Sequence, residues 1–240
     1  MRSRHLLIGL GLGALAVLGL NSAAPASLLI NEMDSDSVNT PTTDAFEFVE
    51  LYETTGTSVP LDGLVLVFFN GNGNVVYRAE DLDGLSTHAN GYFVAGSVAG
   101  ADRVIPGNTI QNGVDAIALY TGNASDFPNG TLATAPIAAN PIDAIVYETG
   151  PDTDGIGLAA ALGVNGPPAD EFAPNNNATD GANHSLGRLP NASGAVKDNN
   201  AFTPNTPTAG APNAAIPEPA TISLLTGALA LGTLRRRRLR

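Results

Sequence analysis

Short apolar segments rich in β-branched and aromatic residues alternate along this chain with clusters of glycine, asparagine and proline. Residues 64–69 (LVLVFF) and 74–79 (NVVYRA) flank Asn70–Gly73, whose asparagine and glycine residues accept the positive φ angles of a hairpin turn. Further strands are predicted at 28–33, 44–53, 91–96, 115–120, 142–148 and 184–189, and one short helix at 157–162. Many short strands without alternating helices predict an all-β fold, a β-sandwich.

The N-terminus has the three parts of a secretory signal peptide. Arg2 and Arg4 precede an apolar run over 6–20, and Ala24-Pro25-Ala26 is a small-residue cleavage site. Fifteen helical residues reach about 22 Å, which is short of the ~30 Å hydrocarbon core and argues against a membrane anchor. We therefore expect residues 1–26 to be a signal peptide, cleaved before Ser27.

The C-terminus carries a second processing pattern. The apolar run over 220–234 is also only fifteen residues long, but its flanks differ, because five arginines lie in the six positions after it. Arginine is costly to translocate and snorkels to the interface, so this run is predicted to span the membrane with its arginine end in the cytoplasm. Proline bars a helix just before the run and leaves an extended, accessible peptide on the outer side. The motif is Pro217, Glu218 and Pro219, and the stop-transfer cluster is Arg235, Arg236, Arg237 and Arg238.

Residues 217–240 resemble the PEP-CTERM sorting signal of Gram-negative and related bacteria, with the PEP motif, apolar helix and arginine cluster in order. The resemblance implies processing by an exosortase, a membrane transpeptidase of bacteria that produce exopolysaccharide. The expected location is the membrane before processing, and the cell surface or extracellular space afterwards. Exopolysaccharide is a possible partner.

The segment between the two ends is strongly acidic. Residues 27–216 contain 4 basic and 22 acidic side chains, a formal charge of −18. Nucleic-acid binding needs clustered lysine and arginine, so this class of partner is excluded, whereas cations are attracted. The chain has no cysteine, which excludes thiol catalysis and thiolate zinc sites.

Three aspartate pairs with i, i+2 spacing are candidates for a calcium site, because calcium prefers carboxylate oxygens presented by tight loops. None matches the EF-hand spacing, and aspartate also favours turns and solubility, which is the favoured interpretation. No other cofactor is expected. The pairs are Asp34 with Asp36, Asp81 with Asp83, and Asp152 with Asp154.

Other titratable residues give no convergent catalytic set. Glu32, Glu47 and Glu50 lie in predicted strands, where a hydrogen bond to a loop backbone or an edge position is favoured over a metal or catalytic role. His88 and His184 are interpreted as surface histidines, because a hydrolytic triad also needs a nucleophilic serine and no G-x-S-x-G occurs. The chain is therefore predicted not to be an enzyme.

A second resemblance covers about residues 28–213. The blocks LLINEM, DAFEFVELYE, SVPLDGLVLVFFNG, NGVDAIALY, IDAIVYE and PTAGAPN resemble, in the same order, the bacterial lamin tail domain. The family implies an immunoglobulin-like β-sandwich in an extracellular or envelope protein, with no agreed activity. We place the sandwich at 27–203 and a Pro/Ala-rich linker at 204–216.

These observations predict a non-enzymatic, exported surface or matrix protein that displays a lamin tail-like sandwich and is sorted through its C-terminal tail. The alternative is a secreted calcium-dependent ligand-binding module or a hydrolase-associated domain, which would use loops that the sequence does not align to any site.

Overall fold

A computed structural model describes residues 28–37, 46–150, 156–172 and 183–215. Most of these residues lie in strands or in the turns between them, as the sequence predicts. The strands are β1 (Leu28–Asp34), β2 (Phe48–Glu53), β3 (Leu64–Asn70), β4 (Val75–Asp81), β5 (Tyr92–Gly96), β6 (Arg103–Val104), β7 (Asp115–Thr121), β8 (Asp143–Glu148), β9 (Ala169–Asp170), β10 (Ser185–Arg188), β11 (Phe202–Thr206) and β12 (Ala214–Ala215). The helix α1 spans Ile156–Leu162, and short 3-10 turns span Ala124–Asp126, Pro136–Ala138 and Asn199–Ala201.

The strands form two sheets. The seven-stranded sheet has the order β12-β11-β10-β1-β2-β5-β6, and the five-stranded sheet has the order β4-β3-β7-β8-β9. Neighbours are antiparallel, except that β5 with β6 and β8 with β9 are parallel. The prediction of an all-β sandwich is confirmed at this level.

The predicted hairpin between β3 and β4 is present. Its turn places Gly73 at φ 95° and Asn74 at φ 52°, in the left-handed region that these two residue types tolerate best. The predicted helix at 157–162 is also present, beginning one residue earlier as α1.

Apolar side chains form two layers. The first lies between the sheets and includes Leu51, Phe68, Phe93 and Tyr147, all fully buried. The second lies on the other face of the five-stranded sheet, where α1 and the 3-10 turns cover residues such as Phe69. Strand side chains alternate between faces, and because both faces of this sheet are covered, its strands are apolar on both sides.

The outer face of the seven-stranded sheet is covered by its own C-terminal hairpin. Residues 204–216 were predicted as a linker, but 204–206 belong to β11, and β12 pairs back onto it through Thr206 and Ala214. The loop between these strands, residues 207–213, folds onto the sheet and is named here the hairpin loop. Its Pro, Ala and Gly composition is typical of a linker, but buried carboxylates described below bind its polar groups.

No helix within the described ranges has the length and apolar character to cross a membrane. The predicted signal peptide (1–26), sorting motif, membrane helix (220–234) and arginine cluster all lie outside those ranges.

Candidate functional site

Two glutamates stand side by side on the outer face of the seven-stranded sheet. Glu32 in β1 is the register partner of Glu50 in β2, which is the partner of Val94 in β5. Val49 and Leu51 on either side of Glu50 point into the core, so Glu50 points outwards, towards the hairpin loop. Both glutamates are nevertheless fully buried, because the hairpin loop covers them.

The Glu32 carboxylate is surrounded by hydrogen-bond donors. Its Oε1 accepts from Ser185 Oγ at 2.5 Å, Asn205 Nδ2 at 3.1 Å and Thr208 N at 2.9 Å. Its Oε2 accepts from Thr208 Oγ1 at 2.8 Å. Since the donors come from β10, β11 and the hairpin loop, this one carboxylate joins β1 to three C-terminal segments that lie more than 150 positions away in sequence.

Glu50 fastens the same loop at a second point. Its Oε2 accepts from the backbone N of Gly210 at 2.7 Å, and its Oε1 accepts from Asn31 Nδ2 at 2.8 Å. Asn213 closes the far end of the loop by donating to the carbonyls of Asn31 at 3.1 Å and Arg188 at 2.9 Å. We name Glu32, Glu50 and the hairpin loop the carboxylate clasp.

Burial and hydrogen bonding act in opposite directions on the two clasp carboxyls. Desolvation raises the pKa of Glu32, and the donors from Ser185, Thr208 and Asn205 offset part of that rise. Desolvation raises the pKa of Glu50 to about 8, with a further upward contribution from the charge of Glu32. For Glu50 the sequence favoured an edge position or a hydrogen bond to a loop backbone, and the contact with the backbone N of Gly210 is of the second kind. Glu47, similarly, accepts from the backbone N of Thr109 and of Ile110, both at 2.9 Å.

A buried ion pair lies next to the clasp. Arg188 in β10 and Asp143 in β8 are both fully buried, and Arg188 Nη2 lies 3.1 Å from Asp143 Oδ2. The guanidinium also donates to three backbone carbonyls and lies 4.5 Å above the centroid of the Phe202 ring. Asp143 accepts from the backbone N of Ile30 at 2.9 Å and of Lys197 at 2.6 Å. Burial raises the pKa of Asp143, while Arg188 and these amides lower it. The pair links the two sheets.

Asp34, from the first candidate calcium pair, is in hydrogen-bond contact with the carboxyl group of Glu171. Asp34 is 2% exposed, and both burial and the neighbouring Glu171 raise its pKa well above the ordinary range. Burial raises the pKa of Glu171 to about 8, and its oxygens accept from Ser35 N at 3.2 Å and from Ser35 Oγ at 2.6 Å. Because two buried carboxyls in contact do not both ionise readily, a shared proton accounts for this pair.

The two aspartates of the second candidate pair, Asp81 and Asp83, accept hydrogen bonds from backbone amides in neighbouring turns. Asp81 Oδ1 accepts from the backbone N of Ala124 at 2.5 Å, and Asp83 Oδ1 accepts from the backbone N of Gly63 at 2.6 Å. The third pair, Asp152 and Asp154, lies outside the described residues. In the part of the chain that the structure describes, no group of three or more His, Cys, Asp or Glu side chains could hold a metal ion. Calcium binding at these pairs stays a prediction.

The two histidines differ in their surroundings. His184 lies just before β10, and His88 precedes β5 in a loop, where its side chain is 60% exposed, as predicted for a surface histidine. His88 Nε2 lies 2.5 Å from Asp102 Oδ1, and the two side chains line a small pocket beside the hairpin loop. Of the described residues that line this pocket, none is serine, threonine or cysteine.

Sequence reasoning missed the partners of these groups. Asp102, Asp143, Glu171 and Arg188 were not singled out, because each acts through a partner on another strand or loop. The one available signal was Arg188, which is one of only four basic residues between 27 and 216. A single arginine in a strand flanked by apolar residues suggests a buried ion pair.

We expect Glu32→Ala to loosen the hairpin loop. The substitution leaves buried donors of Ser185, Asn205 and Thr208 without their acceptor, at a cost of roughly 1–3 kcal/mol. Amide hydrogen exchange of residues 207–213, measured by mass spectrometry, should become at least about tenfold faster. Glu53→Ala is the matched control, since Glu53 accepts from the backbone N of Thr55 and Thr57 in a different turn. Unchanged exchange at 207–213 in Glu32→Ala, or equal acceleration in both variants, contradicts the clasp.

No family model, no curated protein and no solved structure matches this chain.

Proposed function

We propose that the chain is a non-enzymatic, exported cell-surface or extracellular-matrix protein that displays an immunoglobulin-like, lamin tail-like sandwich. In this proposal an exosortase-type enzyme sorts it through the PEP-CTERM tail at 217–240. Before processing, the run at 220–234 inserts in the membrane with Arg235–Arg238 on the cytoplasmic side. After processing, the sandwich stands at the cell surface or in the matrix.

The observation that carries the proposal is the short distance in sequence between the last strand of the domain and the sorting motif. The last described strand, β12, ends at Ala215, two positions before Pro217 of the sorting motif. The clasp binds the loop immediately upstream of β12 at Thr208, Gly210 and Asn213. A tail that is anchored or covalently joined after β12 therefore connects directly to a hydrogen-bonded edge of the sheet, without a long free linker.

The lamin tail resemblance has support from the same contacts. Asn31 and Glu32 lie in the LLINEM block, Glu50 lies in EFVELY, and the hairpin loop lies in PTAGAPN. Three of the sequence blocks on which the resemblance rests thus meet in the clasp. Their shared function is structural, because the carboxylate oxygens accept from loop and asparagine donors and are shielded from solvent. This arrangement favours a stable display domain over a catalytic centre.

The acidic composition supports a soluble display domain that does not bind nucleic acids. A formal charge of −18 over residues 27–216 favours solubility and discourages binding to nucleic acids. The alternative, a calcium-dependent ligand-binding module or a hydrolase-associated domain, is favoured only by the position of Asp34 and Asp36 at the end of β1 and by the His88 pocket.

Expression in a bacterial host that carries an exosortase tests the sorting proposal. Replacing Arg235–Arg238 with serine should let the short helix slip through the membrane and release unprocessed protein. Deleting Pro217–Pro219 should leave full-length protein in the membrane fraction. The measurements are the intact mass and the distribution between membrane and medium for each variant.

A double variant, Pro207→Ala with Pro212→Ala, controls for general effects of changing prolines near the C-terminus. It should be processed like the unaltered chain. If the arginine and PEP variants are also processed and distributed like the unaltered chain, the sorting proposal fails. Adding calcium or a chelator during purification should leave all these distributions unchanged, and a calcium-dependent change would favour the alternative function.

A further inference from the structure

The pocket beside His88 is enclosed by three separate segments. Its walls are β5, the loop 97–102 and the tip of the hairpin loop at Ala209 and Gly210. Its volume is about 120 Å³, and it is open to solvent on one side. One buried water needs about 10–15 Å³ on this measure, so the pocket has room for a small organic ring and not only for a single water.

One side of the pocket is polar and fixed in place. Asp102 Oδ2 accepts from the backbone N of Val94 at 2.9 Å, while its Oδ1 contacts His88 Nε2 at 2.5 Å. The backbone N of His88 donates to the carbonyl of Tyr92 at 2.7 Å. A carboxylate and an imidazole held side by side present an acceptor and a group that donates or accepts, a few ångströms apart.

The other side is apolar and lined by small side chains. Val94 and Val98 stand beside Ala101 and Ala209, and a Cβ added at Gly100 would meet nothing within 4 Å. Small apolar side chains leave a smooth surface on which the C–H face of a ring can pack. The pocket therefore combines an apolar wall with a polar edge, which matches a ring that has hydroxyl groups on its rim.

The charge of the pocket and of the domain restricts the class of ligand further. The segment 27–216 carries a formal charge of −18, and Asp102 adds a negative group inside the pocket, so anions are repelled. A cationic group only donates hydrogen bonds, so it can use the Asp102 carboxylate but offers no acceptor to the neighbouring His88 imidazole. A neutral hydroxyl suits the site best, since each hydroxyl both donates and accepts hydrogen bonds.

We propose that this pocket binds one ring of a neutral sugar, a hexopyranose, with its hydroxyl groups on His88 and Asp102 and its C–H face on Val94 and Val98. The clasp positions the third wall, because Glu50 holds the backbone N of Gly210 at 2.7 Å. Glu50 is thus a positioning residue for the site. The proposal is independent of how the chain is sorted.

Titration of the purified full chain in detergent tests the proposal. Glucose, mannose and galactose are the neutral probes, glucuronate is the anionic probe and glucosamine the cationic one, with binding followed by saturation-transfer NMR and calorimetry. At least one neutral hexose should bind with a dissociation constant in the millimolar range, and glucuronate should bind at least tenfold more weakly. A trisaccharide of the same sugar distinguishes a polymer end from a free monosaccharide.

The variants separate the pocket from the rest of the surface. Asp102→Asn should weaken hexose binding at least tenfold while its remaining carbonyl oxygen still accepts from Val94. Ala99→Phe places bulk at the exposed rim of the pocket and should abolish binding, whereas Ala139→Phe, at an exposed alanine just after the 3-10 turn Pro136–Ala138, should not. Absence of binding by every neutral hexose at about 50 mM, a concentration on the order of ten times the expected dissociation constant, overturns the proposal. Equal binding by Ala99→Phe and Ala139→Phe, or preferential binding of glucosamine or glucuronate, also overturns it.

Discussion

Asp143→Ala is expected to lower the free energy of unfolding by about 3–5 kcal/mol, because it leaves the guanidinium of Arg188 buried without its counter-charge. Arg188 and Asp143 are both fully buried, and Asp143 also accepts from the backbone N of Ile30, Ala144 and Lys197. The substitution therefore leaves one buried charge and three backbone amide donors without their partner. Urea unfolding followed by tyrosine fluorescence measures the loss.

A double variant tests whether the loss comes from the stranded charge. Asp143→Ala combined with Arg188→Met removes both ionisable groups and keeps an apolar side chain of similar length above Phe202. It should be at least 1 kcal/mol more stable than Asp143→Ala alone. Asp83→Ala is the control for removing an exposed carboxylate that accepts a single backbone hydrogen bond. If Asp83→Ala and Asp143→Ala lower the free energy of unfolding equally, the unpaired charge of Arg188 is not the cause of the loss.

The two-sheet architecture could be predicted from local sequence, because hydrophobic runs and turn residues are local signals. The hairpin at Asn70–Gly73 and the helix near Gly157 are examples. β6 and β9 could not be predicted in this way, since each has only two residues and no measurable periodicity. The segment 204–215 was read as a linker because its composition resembles one, and only the partners of Thr208 and Gly210 reveal its packing.

The candidate sites depend on partners that no local pattern connects. Glu32 and Thr208 are separated by 176 positions, and Arg188 and Asp143 by 45. The sequence predicted carboxylates in strands and a histidine in a loop, but it gave no sign that Asp102 faces His88. Buried polar groups need partners from wherever the topology brings them, so their pairing is a property of the folded chain.

The clasp, the ion pair and the Asp34–Glu171 contact share a physical consequence. Each buries carboxyl groups that, in an unfolded chain, ionise in water at their ordinary pKa. Folding is then favoured by hydrogen bonds and opposed by desolvation, and the balance depends on pH. The pH dependence of stability should accordingly arise at three places: the clasp on the outer face of the seven-stranded sheet, the ion pair that links the two sheets, and the contact of Asp34 with Glu171.

We expect the stability of the domain to fall as the pH rises from about 5 to 8.5. The pKa of Glu50 is about 8 in the folded chain, against an ordinary value of 4.5, and the pKa of Glu171 is also about 8. Between these values the folded state retains a proton that the unfolded state has released, so higher pH favours unfolding. The slope is up to about 1.4 kcal/mol per pH unit for each group, which gives on the order of 4 kcal/mol for Glu50 over the full range.

Burial and the charge of Glu32 on β1 oppose ionisation of Glu50, while the hydrogen bonds from Asn31 and Gly210 favour it. Burial and Glu50 itself raise the pKa of Tyr92 on β5 to about 12, so this neighbour stays neutral over the same pH range. Glu50→Gln removes one titrating group. It should therefore reduce the slope of unfolding free energy against pH by the contribution of one group, up to about 1.4 kcal/mol per pH unit, whatever its effect on stability at a single pH. Glu53→Gln is the control, because hydrogen bonds from Thr55 and Thr57 lower the pKa of Glu53, and stability from that group is lost as the pH falls.

Thermal unfolding at intervals of half a pH unit, at low salt and at about 1 M salt, separates the buried groups from the surface. At 1 M the Debye length is only about 3 Å, so repulsion among exposed carboxylates is screened while the buried groups keep their effect. The fall in melting temperature should therefore persist at high salt in the unaltered chain and in Glu53→Gln, and be smaller in Glu50→Gln. A melting temperature that is constant or rising from pH 5 to 8.5 at high salt, or a slope that Glu50→Gln does not change, shows that the clasp carboxyl does not retain its proton.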